Sequence, residues 1–216
     1  MRIDVWSDLV CPWCYIGKRR LERALAEFPG RERVEIVHRS FQLNPSAPMG
    51  TTARRRDYLM AKYGWSAAQA EKIDADMERR AAADGLEYHL SPEGLTGNTF
   101  DAHRLVHLAR ERSRQDAAVE RFFRAYFTEQ RSLFDHASLT MLATDVRLGA
   151  DEVQSVLDGS EYSDAVAADS DEARALGVTG VPFFVFDQRL GVSGAQAIDV
   201  FAEALRRASE GLSPQP

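Results

Sequence analysis

Two cysteines, Cys11 and Cys14, stand two residues apart in the run Cys11-Pro12-Trp13-Cys14, and they are the only cysteines among 216 residues. Two thiols at this spacing can close a disulfide on one helical turn, hold half of a metal site, or act as a nucleophile with a neighbour. The residues ahead of them, Arg2–Ser7, alternate Ile3 and Val5 with Asp4 and Trp6 and read as a strand. Those behind them place Leu21, Ala24, Leu25 and Phe28 at helical spacing, with Pro29-Gly30 as the stop. Cys11 therefore falls at a helix N-terminus, where unpaired backbone N–H groups and the helix dipole favour a negative charge. A thiol so placed can have its pKa lowered to roughly 3.5–7.5, which makes it a nucleophile near neutral pH. Pro12 suits the first helical position, because its missing N–H would have had no partner there. Cys14 lies one turn further in. The expectation is an attacking Cys11 that meets solvent at the helix end, and a buried, resolving Cys14.

Zinc is the competing use of a C-x-x-C pair. It needs four ligands, and no second C-x-x-C exists. His103 and His107, at i and i+4 on one helix face, could complete a Cys₂His₂ set. They stand apart from the apolar stripe of that helix, Ala102, Leu105, Val106 and Ala109, and are read as solvated surface. No metal is assigned.

Composition sets the frame for this chemistry. With 27 Lys+Arg against 33 Asp+Glu the net charge is −6, which speaks against nucleic acid as a partner. Hydrophobic residues make up 44% and charged residues 28%, an ordinary globular balance. The longest uncharged run, Ser40–Ala53, is 14 polar-interrupted residues, short of the roughly 20 that a spanning helix requires, so no membrane partner is expected. The N-terminus MRIDVWSD carries two acids and no apolar stretch, so a cytoplasmic location is expected. In that reducing compartment a close cysteine pair is more often catalytic or metal-binding than structural.

The elements that hold the pair follow from patterning. A second strand over Val34–Leu43 completes β-α-β, hence a parallel pair with a right-handed crossover. Asn44 to about Ser160 then reads as helices only. Ser66-Ala-Ala-Gln69 is a capping box for a helix to Ala83, and Asn98 or Thr99 can cap the next. Val119, Phe122, Phe123, Tyr126 and Phe127 form an apolar stripe, and Leu139, Leu142, Ala143 and Val146 another, with Gly149 at the stop. A helix over Tyr162–Leu176 ends at Gly177. Pro182–Phe186 is a buried strand, Arg189–Ser193 a short one, and Ile198, Phe201 and Leu205 mark the last helix before a frayed tail at Ser213–Pro216. The predicted fold class is α/β. The expected division is 1–45 and 161–216 as the two parts of one domain, with 46–160 as an inserted helical domain.

The order strand, C-P-W-C, helix, strand, helical block, helix, V-P-strand-strand, helix resembles the DsbA family of thioredoxin-fold oxidoreductases. WSDLVCPWCYIGKRRLERAL, NTFDAHRL, GVTGVPFFVFD and SGAQ resemble its FrnE-like branch. The resemblance covers nearly the whole chain. It implies a thioredoxin fold interrupted by a helical domain, with Cys11 and Cys14 as the redox pair. It also implies a cis Val181–Pro182 bond beside that pair and a Val181 backbone that pairs with bound peptide. Trp13 stands where strongly oxidising members carry His, so the thiolate should be less stabilised here; its face is a candidate substrate contact. Thioredoxin-like enzymes often keep a buried acid six residues before the nucleophile, and this chain has Val5 there. Asp4 and Asp8 are nearby acids, and Asp4 is expected at a wet edge or paired with an arginine. Asn98, Thr99 and His103 match a family motif to which no role is assigned.

The function so implied is exchange between thiols and disulfides, of proteins or low-molecular-weight thiols, with no bound cofactor. Two other readings compete. One is a glutathione-dependent isomerase or transferase resembling 2-hydroxychromene-2-carboxylate isomerase, a group with Ser in place of Cys11 and no partner cysteine. The other is a non-catalytic binding protein with a vestigial or zinc-clipped C-x-x-C.

Overall fold

The computed structural model describes residues 1–210. Two compact units emerge, Met1–Leu43 with Ala167–Pro216, and Asn44–Val166.

The first unit carries the cysteines. Strand β1 (Arg2–Ser7) leads into helix α1 (Pro12–Ala26), and β2 (Glu35–Ser40) returns parallel to β1, with Val5 opposite His38. After α8 (Ser163–Ala175), β5 (Phe183–Phe186) runs antiparallel to β1, and β6 (Leu190–Ser193) closes a hairpin on β5. The sheet order is β2-β1-β5-β6, and α9 (Ile198–Glu210) follows it. One strand face, Ile3, Val5, Phe184 and Phe186, packs with Leu21 and Ala24 of α1 and with Phe201, Ala204 and Leu205 of α9. The other face sets Trp6 and Val185 against Ala173 and Val178. Strands buried on both faces are what a sheet covered by helices on its two sides requires.

Asp4 lies on that second face, buried, and it is paired rather than wet. Arg39 of β2 donates from Nε to Asp4 Oδ1 at 2.8 Å and from Nη1 to Asp169 Oδ1 of α8 at 2.9 Å. Asp169 Oδ2 accepts the Ser40 N–H at 2.8 Å, and the Asp169 carbonyl accepts Trp6 Nε1–H at 2.9 Å. Burial alone would pull the Arg39 pKa down. The hydrogen bonds and charges of Asp4 and Asp169 outweigh it and hold the guanidinium above its ordinary value.

The second unit holds α2 (Arg55–Tyr63), α3 (Ala67–Ala83), α4 (Phe100–Glu111), α5 (Gln115–Phe127), α6 (His136–Asp145) and α7 (Ala150–Asp158), with a two-stranded antiparallel sheet of β3 (Thr52–Arg54) and β4 (Leu95–Gly97) whose strands flank α2 and α3 in the chain. The Ser66–Gln69 capping box forms with both of its hydrogen bonds. Three readings of this stretch need correction. It is not purely helical, because strands of three residues are too short to leave a periodicity. Gly149 does not end the Leu139 helix; it is the N-cap of α7, and α6 already stops at Asp145. His103 and His107 are not solvated: they are 2% and 7% exposed, since every residue from Ala102 to Ala109 of α4 is buried. Arg104 of that helix is buried too, and it closes the end of α7 by donating to the carbonyls of Val156, Gly159 and Glu161. Asn98 Oδ1 accepts the Phe100 N–H at 2.9 Å, and Thr99 is the N-cap residue of α4 without a side-chain cap bond.

No helix among the described residues is long and apolar enough to cross a membrane. The expected frayed tail at Ser213–Pro216 lies outside the described residues.

Candidate active site

Helix α1 begins where the sequence sets Pro12 at its first position, and Cys11 is its N-cap residue. The turn before it is closed by the Cys11 N–H on the Asp8 carbonyl at 3.0 Å, and the Cys14 N–H reaches the Cys11 carbonyl at 3.0 Å. No acidic residue sits in the first turn of α1 itself.

Both cysteines are free thiols, and both are buried, Cys11 at 4% and Cys14 at 2% exposure. The expected contrast in solvent access is therefore absent. The β5 side of the site covers Cys11: its thiol donates to the Val181 carbonyl at 3.5 Å, across 170 residues of chain. What separates the thiols is their electrostatics. Cys14 is pushed well above the ordinary thiol range, first by burial and then by its hydrogen bond and charge interaction with Cys11. A backbone hydrogen bond from Asp8 pulls the other way, and the Asp8 charge adds to the rise. Cys14 is thus held as a neutral thiol at the start of the helix.

The Val181–Pro182 peptide is cis, and Pro182 is buried directly ahead of β5. Its carbonyl accepts the Gly194 N–H at 2.8 Å, and Gly194 takes a positive φ of 81° to present it. Arg20 of α1 donates to the Ala195 carbonyl at 2.7 Å. The Ser193-Gly-Ala-Gln196 run thereby braces the proline from behind. Trp13 is 36% exposed, the large apolar side chain of the C-x-x-C run that meets solvent. Val181 is half-buried, and the structure brings it to Cys11 as described.

Gly17 is a site residue that patterning alone passes over. A Cβ on it would lie 3.0 Å from Pro182 Cγ and 3.1 Å from Phe184 Cζ, so any larger residue there would press on the proline and on Phe184. The signal was a glycine inside a helix, where it costs about 1 kcal/mol relative to alanine and usually marks a close contact. Among the described residues no group of three or more His, Cys, Asp or Glu is placed to hold a metal ion.

Comparison with known proteins agrees with this geometry. The family model described as DSBA-like thioredoxin domain matches residues 2–206. The probable DsbA oxidoreductase of Streptomyces coelicolor superposes with a TM-score of 0.95 at 47% identity, over 100% of this chain and 93% of that one. A 2-hydroxychromene-2-carboxylate isomerase superposes at 0.72 with 14% identity, over 98% and 97% of the two chains, a likeness of fold. An uncharacterized protein of Bacillus subtilis, YwbO, is 28% identical over 214 residues, covering 95% of this chain and 96% of that protein. With a family model that covers residues 2–206, the chain belongs to the DSBA-like thioredoxin domain family.

Proposed function

We propose that the protein is a thiol–disulfide oxidoreductase of the FrnE-like branch, cycling Cys11 and Cys14 between dithiol and disulfide. In the reducing direction the Cys11 thiolate attacks a substrate disulfide, one substrate sulfur leaves as thiolate, and a mixed disulfide forms. Cys14 then attacks Cys11 Sγ, the second substrate sulfur leaves, and the pair is oxidised by two electrons as the substrate gains two. The supporting observation is the division between the thiols: Cys11 at the helix end against the Val181 carbonyl, Cys14 kept neutral behind it. Trp13 and the Val181 backbone form the substrate face, Pro182 fixes that backbone, and substrates are protein or low-molecular-weight thiols. With only two cysteines, both in the pair, the chain has no other disulfide for an oxidising compartment to maintain, and we assign it to the cytoplasm. The isomerase reading shares the fold, but it has no use for a second thiol at Cys14.

Redox equilibration in glutathione buffers tests this. Oxidising power comes from stabilising the reduced thiolate, and about 30 mV corresponds to about 1.4 kcal/mol for a two-electron couple. Trp13 supplies no positive charge beside Cys11, so the expected potential is roughly −180 to −230 mV, below the roughly −120 mV of a strong oxidant. Trp13→His should raise it by about 30 mV, tenfold in the equilibrium constant, as the imidazolium favours the thiolate. A wild-type value near −120 mV, or a downward shift in the variant, contradicts the reading.

A further inference from the structure

The resolving step has a proton to place. Cys14 is 2% exposed and held neutral, so its S–H must be broken in a buried site. The position six residues before Cys11 is Val5, which offers no base and packs in the apolar layer with Leu21 and Ala24.

Asp8 is a buried acid whose backbone closes the turn that carries the pair. It is 1% exposed, and its side chain is aimed by the Leu43 N–H, which donates to Oδ2 at 2.7 Å. Its own backbone wraps the pair, with the carbonyl on the Cys11 N–H at 3.0 Å and a hydrogen bond to the Cys14 sulfur. Its charge acts on the Cys14 thiol, adding to the rise in that thiol's pKa. The other buried acids of this unit, Asp4 and Asp169, are bound to Arg39 on the opposite sheet face. Two further buried titratable groups share the α1 side of the sheet. Lys18 of α1 is paired with Glu22, and His38 of β2 stands beside Val5 in the ladder.

We propose that Asp8 is the proton acceptor for Cys14, in place of an acid at position 5. As Cys14 attacks the mixed disulfide, its S–H proton passes to the Asp8 carboxylate. The sulfur electron pair forms the Cys14–Cys11 bond, and the bond from Cys11 to substrate breaks with the substrate sulfur leaving as thiolate. When the disulfide is reduced, the proton on Asp8 returns to Cys14. The carboxylate is buried, hydrogen-bonded to the Leu43 N–H and three residues before the nucleophile.

The inference rests on the redox reading of Cys11 and Cys14, and the experiment separates the two. Reduced protein is mixed with excess glutathione disulfide, acid-quenched at intervals, and weighed intact to follow first the mixed disulfide and then ring closure, from about pH 6 to pH 9. Asp8→Asn keeps an acceptor for the Leu43 N–H and removes the base. Mixed-disulfide formation should stay within about twofold of wild type, while closure slows by at least about tenfold near pH 6, the lower end of general-base effects. The deficit should shrink as pH rises and hydroxide takes the proton, and Asp8→Glu should recover part of it. Closure at the wild-type rate overturns the proposal. So does slowing by one factor at all pH values, which would make Asp8 only a structural tie, or a pH-dependent slowing carried by His38→Gln instead. If wild type forms no mixed disulfide at all, the redox reading itself fails and the proposal falls with it.

Discussion

Replacing Cys14 by serine should convert the protein from a catalyst into a trap. Cys11 still attacks, because its helix end and the Val181 carbonyl beside it are untouched. The mixed disulfide then has no internal thiol to resolve it, and it persists until an outside thiol arrives. Incubated with a disulfide-bonded protein substrate, Cys14→Ser should accumulate a covalent complex visible on non-reducing gels and reversed by dithiothreitol. Cys11→Ser should form no complex, and its turnover should fall by about 10³-fold or more, since the remaining thiol is buried and neutral. The double variant should match Cys11→Ser, because two residues of one mechanism do not add. Equal trapping by the two single variants would mean that either sulfur can attack, and the assigned order would be wrong.

Arg39 carries the largest expected effect on stability. It ties β1 and β2 to α8 through two buried carboxylates, and its guanidinium stands 6.0 Å from the Trp6 ring. Arg39→Met keeps much of the stem and removes the charge. Asp4 retains Arg2, whereas Asp169 keeps the Ser40 N–H but loses the Arg39 charge, and the nearby Glu172 is of like charge. Removing one partner of a buried ion pair costs about 3–5 kcal/mol, because the remaining charge is left without compensation. At about 2–4 °C per kcal/mol for a chain of this size, the melting temperature should drop by roughly 10 °C. Adding Asp169→Leu to Arg39→Met should recover part of the loss, as the stranded carboxylate goes with it. A drop of less than about 2 °C would show the network to be surface-like in its energetics.

What patterning could and could not reach follows from how local each feature is. The strand, the C-P-W-C turn and α1 were legible because alternation, a proline at the first helical position and a 3.6-residue stripe are all written within 30 residues. The Ser66 capping box was legible for the same reason. Strands of three residues carry no period, and β3 and β4, paired across α2 and α3, were therefore missed. His103 and His107 were misjudged because their polarity suggested a wet face, while every residue of α4 from Ala102 to Ala109 is buried. The burial of Cys11 was missed for a related reason. It depends on Val181, which only the sheet order β1-β5 brings across to the helix end. Asp8 lay in plain view three residues before Cys11. Its significance needed the Leu43 N–H and the Cys14 sulfur in place around it.

The most direct test of the account uses the wild-type protein and one reagent. Fully reduced protein is treated with a limiting amount of iodoacetamide near pH 6, digested, and its cysteine peptides are weighed. Solvent access differs little between the thiols, 4% against 2% exposure, so any selectivity reports their chemistry. With the Cys14 thiol held far above the ordinary range and Cys11 at the N-terminus of α1, carbamidomethylation should fall on Cys11 by at least about tenfold over Cys14. Labelling of Cys14 first, or of both sulfurs equally, would contradict the division of labour on which the proposed function stands.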